Sequence, residues 1–353
     1  MNLSINSVKT PVRIWLIIGV VMIIGQVILG GITRLTGSGL SITKWDIVTG
    51  TLPPLTEEAW LVQYDLYKQT PQYHKINNGM SLSDFKFIFF WEYFHRLWAR
   101  SMGFVFLFPY LYFRWKKNIP TWLNRRLYVV ILLALIVASI GWIMVMSGLV
   151  DRPWVNAYKL TLHLTLAAIL YLYLLWTTFM SFENEVPKLD NASMKKWQNI
   201  IFGLTFLQFM LGGLMSGMKA GLIYPSWPDM NGSYFPALLF DMKEWALVNF
   251  TNYDSNIFAP TLIQFLHRGN AYLLFVLIFV YFFKFKSLSR NNIFQNSLFL
   301  LLIVLVIQVI IGILTVISCK GTIPVGLGVL HQLCGLLLLS VVLFQRFFTR
   351  EKY

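Results

Sequence analysis

The chain has 353 residues, of which 57% are hydrophobic and only 12% are charged. A soluble domain carries about twice that charged fraction, so the composition excludes an ordinary soluble protein and indicates a membrane protein. The net charge of +14 would suit a nucleic-acid-binding protein. Its distribution excludes that partner, because the excess lies in short loops between apolar blocks, such as 114–117, 125–126 and 195–196.

Eight apolar blocks predict eight transmembrane helices, each long enough to cross a hydrocarbon core of about 30 Å. The predicted spans are 13–33, 87–113, 127–150, 155–182, 198–218, 260–283, 294–318 and 325–348. The positive-inside rule then places both termini in the cytoplasm of a bacterial inner membrane. The first span lacks a small-residue cleavage site and is predicted to be a retained anchor in membrane lipid.

Two long loops, 34–86 and 219–259, follow the first and fifth spans and are predicted to lie on the outer side, each with a short helix. Four residues of the first half recur 182 residues later: Gln26, Gly30, Trp45 and Pro54 return as Gln208, Gly212, Trp227 and Pro236. We therefore predict an all-α integral membrane protein of two four-helix bundles. The halves, 1–190 and 191–353, are predicted to be related by a pseudo-two-fold axis along the membrane normal.

Four histidines lie on the even-numbered spans, each six to eight residues after the start of its span: His95, His163, His267 and His331. At about 1.5 Å per residue, all four lie roughly 9–12 Å below the outer surface. Neutral imidazole is a common axial ligand of heme iron, so each half is predicted to hold one heme between two histidines. The alternative is four packing histidines bonded to neighbouring carbonyls.

Other metal chemistry has less support in the sequence. A zinc site would need further ligands, and no Cys or Asp clusters with the four histidines. Cys319 and Cys334 lack metal-site spacing, and His74, in the first loop, is predicted to be a solvated surface residue.

A carboxylate distinguishes the two halves. Glu92 and Gln264 each lie three residues before a histidine, on the same helical face as that ligand. An ionisable group in a span costs about 2.5–3.5 kcal/mol, and two explanations stay open. Glu92 forms an ion pair with Arg96 or Arg100, or it lies over a substrate ring, where it exchanges a proton or stabilises positive charge.

Basic residues near the histidines also have two interpretations. They bind heme propionates, for which Arg is suited, or they pair with Glu92 and backbone carbonyls. The candidates are Arg96, Arg100 and Arg268, with Arg34, Lys44 and Lys219 near the outer rim.

Several segments carry a resemblance to a known family: Gly30–Ser41 with Trp45, Glu92–Arg96, Gly148–Arg152, His163–Leu164, Met218–Gly221 through Trp227–Pro228, His267–Arg268 and His331–Gln332. In this order, over nearly the whole chain, they resemble heme A synthase, particularly its alphaproteobacterial and mitochondrial branch.

The resemblance implies an oxidoreductase. It implies that the methyl group at ring position 8 of heme O is oxidised to a formyl group by successive hydroxylations, giving heme A for cytochrome oxidase. His95 and His163 would flank the substrate heme, with Glu92 as the catalytic residue near the reacting methyl. His267 and His331 would ligate a heme b cofactor. Heme O synthase and cytochrome oxidase assembly factors are the implied protein partners.

One departure from the family is visible. Some members have a cysteine pair in the first outer loop, and residues 34–86 contain no cysteine, which argues against a thiol-based electron step there. The runner-up function is a diheme b-type transmembrane electron-transfer protein, and a third class is a transporter. Because all four histidines lie at one depth, their hemes would not form a series that carries electrons across the bilayer. This favours the synthase over the electron-transfer protein.

Overall fold

A computed structural model describes residues 8–44, 51–150 and 152–351. Within those ranges the chain forms eleven α-helices and, apart from one bridge between Met230 and Ser233, no β-structure. The helices are α1 Thr10–Leu35, α2 Glu57–Lys68, α3 Pro71–Lys75, α4 Leu82–Trp115, α5 Thr121–Met146, α6 Ala157–Met180, α7 Ala192–Gly217, α8 Leu247–Thr251, α9 Phe258–Phe285, α10 Asn292–Ile317 and α11 Val325–Phe347. The predicted all-α class is confirmed.

Seven helices of the described chain are long and apolar enough to cross a membrane: α1, α5, α6, α7, α9, α10 and α11. The prediction of a multi-pass membrane protein is thereby supported. The remaining predicted span corresponds to α4, which has 34 residues. Glu92, Arg96 and Arg100 lie within α4 and lower its hydropathy, so its composition alone does not identify it as a span.

Four helix ends differ from the predicted spans by four residues or more. α5 and α7 begin at Thr121 and Ala192 rather than 127 and 198. α4 begins at Leu82 rather than 87, because the Ser81 side chain caps it by accepting from the Asp84 N–H at 3.2 Å. α5 ends at Met146 rather than 150, and the chain that follows packs tightly, since a Cβ on Gly148 would lie 2.7 Å from the Leu40 side chain. Trp45 and Asp151, which belong to the sequence motifs above, lie outside the described residues.

The described backbone divides into two compact units, the first within residues 9–167 and the second formed mainly by residues 168–351. In the first unit α1 packs along α4. The ring centres of Trp15 and Phe106 are 4.8 Å apart, and a Cβ on Gly25 would lie 3.0 Å from the Trp98 indole. α5 is the least buried of the seven apolar helices.

The connection between α1 and α4 carries its own small core. Tyr64 and Tyr67 of α2 pack against Phe85 and Phe89 at the start of α4, with Trp60 beside them. α2 matches the short helix predicted after residue 56. In the second long connection, the helix predicted near residue 240 is a pair of 3-10 turns, Ala237–Phe240 and Met242–Trp245, followed by α8.

In the second unit α7, α9, α10 and α11 pack together around an apolar core. A buried polar network joins all four helices at one end of that core. The Gln198 amide donates to the Tyr281 hydroxyl at 3.0 Å and to the Gln345 carbonyl at 2.6 Å, and the Gln345 amide donates to the Ser297 hydroxyl at 2.7 Å. Such interhelical bonds contribute about 0.6 kcal/mol each in membranes and fix helix register.

Candidate functional site

Each of the four predicted ligands faces a glycine on the long helix that precedes it. A Cβ on Gly30 would lie 3.3 Å from His95, and one on Gly212 would lie 3.6 Å from His267. The other two positions are tighter. Gly141 and Gly312 would place a Cβ 2.9 Å from His163 and 2.8 Å from His331. The glycines therefore let the four imidazoles approach the backbone of the neighbouring helix closely. All four rings are half-buried.

In the first unit the contacts of His95 and His163 fix their protonation. The Nδ1 atom of His163 lies 3.1 Å from the Val137 carbonyl. Since a carbonyl only accepts, Nδ1 carries the proton, and in the neutral ring Nε2 keeps its lone pair. The Gln26 amide lies 2.9 Å from His95 Nε2 and donates to it. His163 thus presents a free Nε2 lone pair, and the Nε2 lone pair of His95 accepts from Gln26, a bond that iron ligation through Nε2 would replace.

In the second unit the rings of His267 and His331 lie close together. Their centres are 6.3 Å apart, with 71° between the ring planes. Two metal–imidazole bonds of about 2 Å, plus about 1 Å from each nitrogen to its ring centre, give about 6 Å between centres. The pair therefore has the spacing of two axial ligands on one metal ion.

Two glutamines hold this second pair. The Gln208 amide nitrogen lies 3.2 Å from the ring nitrogens of His267 and donates to the His267 carbonyl at 3.0 Å. Asn270 donates to the Gln208 side-chain oxygen at 2.8 Å, which fixes the orientation of that amide. The Gln308 amide lies 3.5 Å from His331 Nε2. These contacts orient the ligands from outside, as outer-shell partners of metal sites do.

The chemistry of the donors suits heme better than zinc. No group of three or more His, Cys, Asp or Glu residues comes together anywhere in the chain that the structure describes. Cys319 and Cys334 are buried and unbridged, and burial raises the pKa of the Cys319 thiol. Each site thus offers two imidazoles and no thiolate, and a heme iron takes its other four ligands from the porphyrin.

The Glu92 carboxylate is 3% exposed and accepts four hydrogen bonds. Its Oε1 accepts from the Arg96 guanidinium at 2.5 Å. Its Oε2 accepts from the Ser41 N–H and hydroxyl, both at 2.7 Å, and from the Ile42 N–H at 2.9 Å. Arg96 and residues 41–42 therefore hold both carboxylate oxygens in place.

The second unit repeats this arrangement with an amide. We call residues 41–44 the first strap and residues 223–226 the second strap. Gln264 donates to the Tyr224 carbonyl at 2.9 Å, where Glu92 accepts from Ile42 N–H. Tyr224 and Ile42 are 182 residues apart, so the repeat seen in the sequence extends to these contacts.

The arginine beside each paired histidine binds its strap in the same way. Arg96 donates to the carbonyls of Ile42 and Lys44 at 3.2 and 3.5 Å. Arg268 donates to the carbonyls of Tyr224 and Ser226 at 2.9 and 2.8 Å. Of the two interpretations open for these arginines, the contacts in the structure are those with Glu92 and backbone carbonyls.

The remaining candidates lie apart from the two straps. Arg34 is in the last turn of α1, Lys219 follows α7 in a left-handed conformation with φ of 53°, and Arg100 lies on α4 beyond His95. His74 is exposed on α3, its ring 5.9 Å from Tyr73, which matches the surface position predicted for it.

Sequence reasoning missed several residues that hold the histidines. Gln26 and Gln208 stand out in the sequence only as markers of the repeat, and the glycines Gly141 and Gly312 carry no signal of their own. The 182-residue register links Gln26 to Gln208 and so contained a hint. Nothing in the sequence indicates that the Ser41 hydroxyl binds Glu92.

Comparisons with known proteins follow the geometry. Residues 13–343 match the family model described as cytochrome oxidase assembly protein, COX15-CtaA. The curated heme A synthase of Nitrosospira multiformis is 37% identical, covering 96% of this chain and 93% of the relative. The heme A synthases of Flavobacterium psychrophilum and Pelagibacter ubique are each 38% identical, over 94% and 96% of this chain and 96% of each relative.

Proposed function

The chain belongs to the COX15-CtaA family of cytochrome oxidase assembly proteins, and we propose that it is a membrane-embedded heme A synthase. It oxidises the methyl group at ring position 8 of heme O to a formyl group. Two successive hydroxylations give a geminal diol, which loses water. In each hydroxylation a C–H bond is replaced by a C–O bond to oxygen from water, two protons are released and two electrons pass to an electron acceptor.

The two histidine pairs divide the work between the halves. His95 and His163 hold the substrate heme; the Nε2 lone pair of His163 is free, and that of His95 would exchange its bond with Gln26 for the iron. His267 and His331 hold a resident heme b, whose iron would exchange electrons. The spacing of 6.3 Å between the second pair and the fixed amide of Gln208 support a permanent ligand there. The rigid pair suits a cofactor, which stays, rather than a substrate, which exchanges.

Glu92 acts in the first half through its charge. It is the carboxylate that the second half replaces with Gln264, and four hydrogen bonds hold it in place. Of the two roles considered for it, we favour stabilising positive charge that develops at the reacting methyl. Arg96 balances that charge at rest and holds the carboxylate in place.

The orientation in the membrane follows from the charge distribution. α4 crosses the membrane in addition to the seven apolar helices. The eight spans then form two bundles of four helices, with both termini in the cytoplasm. The straps and the histidine pairs then lie toward the periplasmic side of a bacterial inner membrane. The polar residues of α4 are tolerated because Glu92 and Arg96 bond each other and the first strap.

One observation carries the proposal: two imidazole pairs built alike, with a carboxylate, Glu92, beside one of them and an amide, Gln264, beside the other. The test is expression of the full chain with a heme O source, followed by chromatography of the extracted hemes. Heme A or a hydroxylated heme is the expected product. Recovery of heme b alone, with heme O unchanged, would support the electron-transfer alternative.

A further inference from the structure

A groove lies between the C-terminal end of α5 and the start of α6. It has a volume of about 600 Å³, within the roughly 300–1,000 Å³ of small-molecule sites. Trp142, Ile143, Met146 and Val150 form its apolar wall, and all four side chains are exposed. Arg152 and Lys159 form its rim. The groove therefore combines an apolar surface with two cations at one end.

The groove lies next to a proposed heme ligand. Lys159 is four residues before His163 on α6, so the two side chains lie on one helical face about 6 Å apart along the axis. Trp142 follows Gly141, whose backbone contacts the His163 ring. A planar porphyrin whose iron is bound by His163 on one face would therefore extend one edge into the groove.

The two units differ at this place. α10 packs closely along α11, whereas α5 and α6 approach much less at the backbone. The position 168 residues after Lys159, the interval between His163 and His331, is Leu327. Both the wider separation of the two helices and this cation are thus features of the first unit, in which the substrate is proposed to bind.

We propose that this groove is the site through which heme O enters from the bilayer and in which its propionate edge is held. The inference rests on the proposed function and names a substrate subsite for it. Arg152 and Lys159 bind the two carboxylates, and the apolar wall contacts the porphyrin and its isoprenoid chain. A substrate must exchange, so its half needs an open side, while a resident heme b is better held in a closed one.

The test uses the purified full chain with its heme b, and heme O in neutral detergent. Lys159→Gln and Arg152→Gln should each raise KM for heme O about ten-fold, the loss of one charge-assisted contact, and the double variant should raise it further. The value of kcat and the heme b content should stay unchanged. Lys159→Arg should restore the wild-type KM, because it keeps the charge.

Lys243→Gln is the matched control, since Lys243 is an exposed cation outside the groove, and it should leave KM unchanged. An unchanged KM in the double variant would overturn the inference. So would a double variant that loses only a stimulation by phosphatidylglycerol vesicles, because the groove would then hold an anionic lipid. A wild-type protein that binds heme O but yields no oxidised product would instead contradict the proposed function.

Discussion

Glu92 and Gln264 occupy matching places in the two halves, yet they bond their straps with opposite polarity. The carboxylate of Glu92 accepts from the Ile42 N–H at 2.9 Å, and the amide of Gln264 donates to the Tyr224 carbonyl at 2.9 Å. Each half thus anchors the chain after its first helix, but only the first half does so with a buried carboxylate. The predictions below follow from this difference and from the seating of the histidines.

Replacing Glu92 with Gln should abolish heme A formation while the heme b of the second half stays bound. The strap presents only donors to Oε2, so the amide oxygen must face them and its NH2 group must face Arg96. Breaking a buried ion pair costs about 3–5 kcal/mol, so a lowered thermal stability is also expected. Heme chromatography and a heme b spectrum measure the two effects.

Ser41→Ala separates the charge of Glu92 from the position of the strap. It removes one of the three bonds to Oε2 and leaves the carboxylate paired with Arg96. Most heme A formation should survive in this variant. If it lost as much activity as Glu92→Gln, strap position rather than charge would control the reaction.

Gly312→Ala should displace His331 and deplete heme b. The new Cβ would lie 2.8 Å from the His331 ring, and no rotamer change of alanine can relieve that contact. Gly212→Ala is the matched variant in the same unit, because its Cβ would lie 3.6 Å from His267, an ordinary contact. Difference spectra of the two purified proteins should show a low-spin bis-histidine heme in Gly212→Ala and not in Gly312→Ala. Equal heme b contents would contradict the close seating of His331.

His267→Ala or His331→Ala should deplete heme b and destabilise the protein. Each removes one of the two imidazoles whose ring centres are 6.3 Å apart, and a bound cofactor stabilises the fold that binds it. Pyridine hemochrome content and thermal unfolding are the measurements. An unchanged bis-histidine spectrum in either purified variant would assign heme b to other ligands.

Asn270→Leu should shift the reduction potential of heme b without removing it. Asn270 fixes the Gln208 amide, and that amide contacts the His267 ring. Outer-shell partners of this kind change metal affinity by roughly 10–100-fold. A redox titration measures the shift, and a potential equal to that of the wild type would show that Gln208 keeps its orientation without Asn270.

Much of the architecture was predictable because it depends on hydrophobic length. The apolar blocks identify seven helices that match the structure within a few residues at most ends. The position of four histidines on even-numbered spans singles out the four rings that lie against glycines in the structure. α4 was predicted from its aromatic and apolar residues despite Glu92, Arg96 and Arg100. The end of α5 was not predicted, because it depends on a tertiary contact between Gly148 and Leu40.

The contacts of the site were less predictable than its members. An Arg four residues from Glu92 indicates an ion pair, but the Ser41 and Ile42 donors come from a segment fifty residues away in sequence. Likewise, the groove beside α5 depends on how far two helices separate, which composition does not encode. Local spacing identifies side chains on one helix face, whereas contacts between distant segments need the fold.

The arrangement of the first strap bears on how the protein is made. The ribosome completes residues 41–44 before α4 emerges, so the donors for Glu92 and the carbonyls for Arg96 are already waiting when that helix meets the translocon. A helix with an unpaired Glu and Arg would partition poorly into lipid. Insertion of α4 is therefore expected to depend on the first strap, which precedes α2 and α3 in the chain, and deleting residues 41–44 should lower the fraction of α4 that enters the bilayer.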